Sequence, residues 1–436
     1  MGGSMAADHA ADTPDSAVGR LARERVDHRF KGLPPGAEGR TVGELAAERR
    51  SLFTGGFTTP VLVLSAEALE HNLAAMERYS AAHKLAFAPH GKTSLAPQLF
   101  ERQLAHGAWG ITAAVPTHVR MYRAFGIQRI FLANEIVDAA ALGWLAQELD
   151  ADPDFRFIAY VDSPRGVQLM DAALREAGAR RPLDVVVELG AGPGARTGAR
   201  TEADCTAVAD AVAATDTLRL VGVAGYEGEV PKPDGERVRA WLRRLTALAV
   251  AFDGEGRFAD ADEIVVSAGG SAWFDAVADV FAELPDLSGP VLKLLRSGAY
   301  VSHDDGHYRH ITPFNRIPDE GALHPAFRLW AQVVSRPEPG QAFLNAGKRD
   351  AAYDLDLPQP QVIRSADGTE RPATGLTVTG LSDQHTWLTV EEGASLEVGD
   401  WVGLGLSHPC TSFDKWQLIP VAEADGTVTD YIRTFF

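Results

Sequence analysis

The sequence predicts an α/β protein, a (β/α)8 TIM-like barrel followed by a second, mostly β C-terminal domain. Three observations predict it. From Thr59 to about Tyr300, short apolar runs rich in Val, Ile and Phe alternate with longer amphipathic stretches. After a leading run there are eight such strand–helix units, the count that a closed parallel barrel needs. Beyond residue 310 the pattern changes to short segments broken by Gly, Pro and Asp turns.

Taken in order, residues 1–56 read as a partly disordered arm with a helix around Thr41–Arg50. Residues 57–310 form the barrel, and its leading strand at Thr59–Leu64 is free either to join the later β domain or to cap the barrel. The eight runs are LAFAPH (85–90), GITAAV (110–115), RIFLAN (129–134), FRFIAYV (155–161), LDVVVEL (183–189), LRLVGVAGY (218–226), EIVVSAGG (263–270) and VLKLLRSG (291–298). Near-continuous apolar strands suit a sheet buried on both faces. An open doubly wound sheet is the alternative. Residues 311–436 make up the β domain.

Composition narrows the function. The 436 residues are 45% hydrophobic and 23% charged, as in ordinary globular proteins. A net charge of −18 argues against nucleic acid or an acidic membrane surface as partner. The compact basic group Arg237, Arg239, Arg243 and Arg244 lies in a helical run and reads as a solvated face. Two cysteines, Cys205 and Cys410, imply no disulfide framework and suit a reducing cytoplasm. No apolar run has signal-peptide or bilayer-spanning character. A cytoplasmic protein acting on a small molecule is expected.

Barrel chemistry collects just after the C-terminal ends of the strands, with phosphate after the seventh and eighth. Pro89-His90-Gly91-Lys92-Thr93 follows the first strand. Burial and cationic neighbours lower the pKa of a lysine at such a mouth, which is what a Schiff-base lysine needs. A surface lysine in a loop is the competing reading. Gly269-Gly270-Ser271 follows the seventh strand and opens a helix, so its N–H groups suit a phosphate. Arg296-Ser297-Gly298-Ala299-Tyr300 brings a cation, a small backbone and a phenol to the neighbouring mouth. The glycines of Glu188–Gly198 lack dinucleotide spacing and are interrupted by Pro193. Arg196 among them presents a cation to a ligand oxygen, and Tyr226 in GYEG offers a phenol.

In the β domain, Ser407-His408-Pro409-Cys410 supplies an imidazole and a thiol, ligand types that suit zinc. Two ligands are fewer than usual, so His385 and Asp414 are candidates for a third. A buried cysteine beside a hydrogen-bonded histidine is the alternative. His303-Asp304-Asp305-Gly306-His307 reads as a polar loop at the barrel mouth.

PHGKT, ELGAGPGARTG, AGYEG, SAGGS, RSGAY and SHPCTSFDKW follow one another in the order seen in D-serine dehydratase and D-threonine aldolase-like enzymes. The sequence thus resembles the fold-type III pyridoxal phosphate enzymes, the alanine-racemase-like group, over about residues 57–430. The resemblance implies that Lys92 carries pyridoxal 5′-phosphate as a Schiff base and serves as the catalytic base. It implies that His90, Arg196, Tyr226 and Arg296 line the cofactor, with Gly269, Gly270, Ser271, Gly298 and Tyr300 at its phosphate. It also implies a homodimer, and zinc on His408 and Cys410, whereas the aldolase branch tends to an H-x-D pair with a harder metal. Thr93, Gln384, His385 and Asp414 are placed near the substrate. Departures from the pattern fall at Gly190, Leu294 and Ser297, and put the fine cofactor contacts in doubt.

The expected activity is PLP- and zinc-dependent dehydration of a D-3-hydroxy amino acid such as D-serine, giving a 2-oxo acid and ammonia. The alternatives are retro-aldol cleavage to glycine and an aldehyde, racemisation, and a non-enzymatic cofactor carrier.

Overall fold

A computed structural model describes residues 16–436; the part of the arm before Ser16 lies outside the described residues. Strand β1 spans Val61–Ser65. The barrel strands are β2 (Ala86–Phe87), β3 (Ile111–Ala113), β4 (Arg129–Glu135), β5 (Arg156–Val161), β6 (Leu183–Leu189), β7 (Leu218–Gly225), β8 (Ile264–Ala268) and β9 (Val291–Leu295). They are parallel and ordered β2-β9-β8-β7-β6-β5-β4-β3. The two ends meet through a parallel bridge from His90 to Thr112 and the Trp109 N–H to Phe87 carbonyl bond, which closes the cylinder. Eight strand–helix units therefore form a closed parallel barrel, and the open sheet is set aside.

Alternation within the strands fills both faces. Phe131, Ile158, Tyr160, Val186, Val221, Val265 and Leu294 pack inside the cylinder. Their sequence neighbours pack outward against the helices. Ser65, Asp138, Ser163, Thr201 and Asp234 each cap a helix by accepting a backbone N–H. No described helix is long and apolar enough to cross a membrane.

The second domain consists of β10 (Phe327–Glu338), β11 (Gln341–Leu344), β12 (Gln359–Arg364), β13 (Glu370–Pro372), β14 (Leu376–Leu381), β15 (Thr386–Val390), β16 (Trp401–Gly405), β17 (Leu418–Ala422) and β18 (Val428–Arg433). Strand β1 lies inside this sheet, antiparallel to β10 and parallel to β17. Of the two places open to the leading strand, it takes the one in the β domain. The described part of the arm is packed: Val26, Phe30, Leu33, Val42 and Leu45 bury against Val61, Trp330 and Tyr431. Its helix is Val42–Ala47, started by a reciprocal capping box between Thr41 and Glu44.

Candidate active site

A cavity of about 610 Å³ opens at the C-terminal ends of the barrel strands. After β2 the chain makes a 3-10 turn, Gly91–Thr93, that carries Lys92 to the cavity wall. A Cβ on Gly91 would come within 2.4 Å of the Tyr122 hydroxyl, so only glycine lets the turn sit this close to β3. Solvent reaches Lys92 through the cavity, yet its amine is pushed below the usual lysine range. Desolvation lowers it, the Cys410 thiolate works the other way, and Arg196 and Arg296 lower it further. His90 beside it is held neutral, first by burial and then by Lys92 and Arg296.

Arg296 is a buried cation on the floor. Its Nε donates to Ser267 Oγ at 2.8 Å, another guanidinium nitrogen donates to the Gly225 carbonyl, and the Phe131 and Tyr160 rings lie 5.4 and 5.6 Å away. Arg196 lies nearer the rim, 5.7 Å from the Tyr226 ring and ion-paired with Glu229 at 2.8 Å. At the expected phosphate end the wall is made of Gly269, Gly270, Ser271, Gly298 and Ala299. A Cβ on Gly298 would lie 2.6 Å from the His90 carbonyl oxygen, and one on Gly270 2.6 Å from the Tyr226 ring. The residues present therefore fit a pyridoxal phosphate: a lowered-pKa amine, a cationic floor, and a loop wall with no side chains filling it.

From the β domain, Cys410 enters the same cavity, its Sγ 3.5 Å from Thr93 Oγ1. Burial raises its pKa, but hydrogen bonding with His408 and Thr93 and the charges of His408 and Lys92 outweigh that, so the thiol is lowered. His408 is raised to about 9, chiefly by its bond to Cys410. Its Nδ1 meets Asp354 Oδ2 at 2.5 Å, and Asp354 Oδ1 accepts from the Thr411 hydroxyl at 2.7 Å. A thiol of lowered pKa and an imidazole oriented by Asp354 are the ligand types that a borderline-soft metal takes. The His303–His307 loop has a task its sequence did not show. Asp304 accepts the N–H groups of Gly306, Tyr308 and Arg309 through Oδ1, and that of His408 through Oδ2 at 2.9 Å.

Lys92, His90, Thr93, Arg196, Tyr226, Gly269, Gly270, Ser271, Arg296, Gly298 and Cys410 all line the one cavity, with His408 joined to it through Cys410. Four other sequence-predicted residues are elsewhere. Tyr300 is turned into the core against Phe87, which leaves only its main chain near the phosphate end. Gln384 and His385 are exposed in the β14–β15 turn, where Gln384 donates to Asp350 at 3.0 Å. Asp414 pairs with Lys415 at 3.4 Å and does not reach the cavity. Within this chain neither His385 nor Asp414 stands beside His408; Asp354 does.

Sequence reasoning also missed an acidic group at three successive strand ends. Glu135, Asp162 and Glu188 bring carboxylate oxygens within 4.8 Å of one another. Burial and Glu188 push Glu135 up to about 9, so it stands protonated and hydrogen-bonds to Glu188. The rule that barrel chemistry gathers at strand ends would have found all three. Because the folded protein holds a proton on Glu135 that the unfolded chain releases above 4.5, its contribution to stability is full below that pH. It is lost as pH rises toward about 9. Thermal melting across that window should show a decline that Glu135→Gln flattens.

Comparison with known proteins gives the following. The family described as "Alanine racemase, N-terminal domain" matches residues 64–284, and that described as "Putative serine dehydratase domain" matches residues 326–422. D-threonine aldolase of Arthrobacter sp is 30% identical over 377 residues, covering 85% of this chain and 90% of that protein. D-threo-3-hydroxyaspartate dehydratase of Delftia sp. is 26% identical, covering 86% of this chain and 97% of that protein. The crystal structure of D-threonine aldolase from Filomicrobium marinum superposes with a TM-score of 0.71 at 26% identity, over 87% of this chain and 95% of that one.

Proposed function

Because the chain belongs to the fold-type III, alanine-racemase-like pyridoxal phosphate enzymes, as a lyase acting on D-amino acids, we propose that it dehydrates D-3-hydroxy amino acids with the help of zinc. D-Serine is the simplest substrate, and the products are a 2-oxo acid and ammonia. The observation that carries this reading is Cys410: a lowered thiol in the cavity that holds Lys92, beside an oriented His408.

When bound, the cofactor supplies an electron sink for the α-carbon, and zinc on His408 and Cys410 supplies charge to stabilise a departing β-hydroxyl. The chain's own groups do the rest. Lys92, whose amine is lowered by desolvation and by the neighbouring guanidinium groups, takes the proton from the α-carbon once it has given up its own. Arg296, fixed to Ser267 and Gly225 on the cavity floor, would help hold the cofactor. Asp354 keeps His408 turned so that its other ring nitrogen faces Cys410. Asp354→Asn should weaken zinc affinity by roughly 10- to 100-fold in competition with a chromophoric chelator, with cofactor binding unchanged.

The 30% identity to a D-threonine aldolase favours a second reading, retro-aldol cleavage at the same site. The deciding experiment supplies D-serine and D-threonine to the purified protein, with and without chelator. Dehydration predicts a 2-oxo acid and ammonia, lost on chelation. Glycine from D-threonine with no 2-oxo acid would overturn it.

Two unpaired cysteines support a cytoplasmic setting. A homodimer is part of the same reading. It is supported by exposed Tyr353, Leu355 and Trp387 on the β domain, and it would give the exposed Gln384 and His385 a neighbouring barrel to meet.

A further inference from the structure

The N–H groups of Gly269 and Gly270, the donors that the sequence offers to a phosphate, are already engaged. Gly269 N–H donates to Glu227 Oε2 at 2.9 Å and Gly270 N–H to Glu227 Oε1 at 2.5 Å. Glu227 itself is fully buried, directly after Tyr226 at the end of β7, and is not part of the cavity wall. Both glycines are part of that wall. The carboxylate therefore grips the loop from behind, while the cavity side stays open.

We propose that Glu227 is a positioning residue for the cofactor's phosphate, shaping its cup by binding the two glycine N–H groups that point away from it. The inference rests on the cofactor assignment. Three features carry it. A carboxylate accepting two adjacent N–H groups is a strong, two-point tether. Gly269 is held at φ +105°, a conformation that a free loop would leave readily. The loop is pressed so closely that a Cβ on Gly270 would lie 2.6 Å from the Tyr226 ring and 3.3 Å from Glu227 Oε1. With those donors used, the phosphate is left the main chain of Ser271 and Gly298. That second row is itself tied together by the Ala299 N–H to Ser271 Oγ bond at 3.3 Å.

The opposite arrangement makes a different prediction. A carboxylate that merely occupied the phosphate's own donors would compete with the cofactor, and its removal would tighten binding.

The test strips cofactor from the full-length wild type, Glu227→Gln and Glu227→Ala, then titrates each with pyridoxal 5′-phosphate and, separately, with pyridoxal, which lacks the phosphate. Tethering predicts that pyridoxal 5′-phosphate binds roughly tenfold more weakly or worse, with pyridoxal changed by less than about twofold. The Gln variant keeps one acceptor and should fall between wild type and Ala; it also decides the matter should the Ala variant fail to fold. Unchanged or tighter pyridoxal 5′-phosphate binding overturns the proposal, and so does an equal loss for both ligands. A wild type that takes up no pyridoxal 5′-phosphate would sink the cofactor assignment, and this proposal with it.

Discussion

Lys92→Ala should lower turnover by roughly a thousandfold or more, the scale on which a positioned acid–base group acts. It should also abolish the yellow colour of the bound cofactor. The expectation follows from position and protonation together. Lys92 enters the cavity from a turn that only Gly91 permits, and its amine is lowered by desolvation and by two guanidinium groups. The other basic side chains of the wall named above, Arg196 and Arg296, are arginines, a residue type ill suited to act as a base, so neither can take over. Absorbance spectra and steady-state kinetics of the purified variant check this. Turnover within tenfold of wild type, or colour retained, would remove Lys92 from the chemistry.

Cys410→Ala should be the next most damaging change, at roughly a hundredfold or more in turnover, with a different signature. The variant should keep the cofactor colour and lose zinc, measured by metal analysis after gel filtration. The cysteine touches Thr93 and faces Lys92, so its loss removes a ligand without disturbing the floor made by Arg296. Cys410→Asp tests the choice of reaction. An oxygen ligand suits a harder metal, and the reading predicts a shift toward glycine from D-threonine with magnesium or manganese. A Cys410→Ala enzyme that still forms 2-oxo acid at the wild-type rate would end the zinc-assisted mechanism.

The sequence made the barrel legible because eight apolar strands, each followed by a helix, leave few other ways to bury both faces. Lys92, Arg296 and the glycine loops were legible for the same reason, since each sits at a strand end. What escaped depends on side-chain direction or on contacts distant in sequence. Tyr300 lies in a one-turn 3-10 segment, Ala299–Val301, and no periodicity tells which of its faces meets the cavity. His385 matches His408 in chemical type alone and Gln384 is only its chain neighbour, and the sheet order keeps both in an exposed turn. Asp354 precedes His408 by 54 residues and Glu227 precedes Gly269 by 42, so neither contact leaves a local signature. The acidic residues at the ends of β4, β5 and β6 are readable by the same strand-end rule, since Glu135, Asp162 and Glu188 occupy equivalent places on three neighbouring strands.

The place of β1 bears on how the protein is made. The strand is threaded between β10 and β17, with Val61 beside Trp330 and Leu64 beside Val421, so its neighbours are synthesised only after the entire barrel. On the ribosome the barrel can close while β1 still lacks both partners. The sheet can form around it only after His408 and Cys410 have been made, because β17 follows them in the chain. A nascent chain stalled just after β9 should therefore take up pyridoxal 5′-phosphate only weakly and no zinc. Full release of the chain completes the thiol side of the cavity, so acquisition of metal should follow that of the cofactor by the time it takes to translate the final domain.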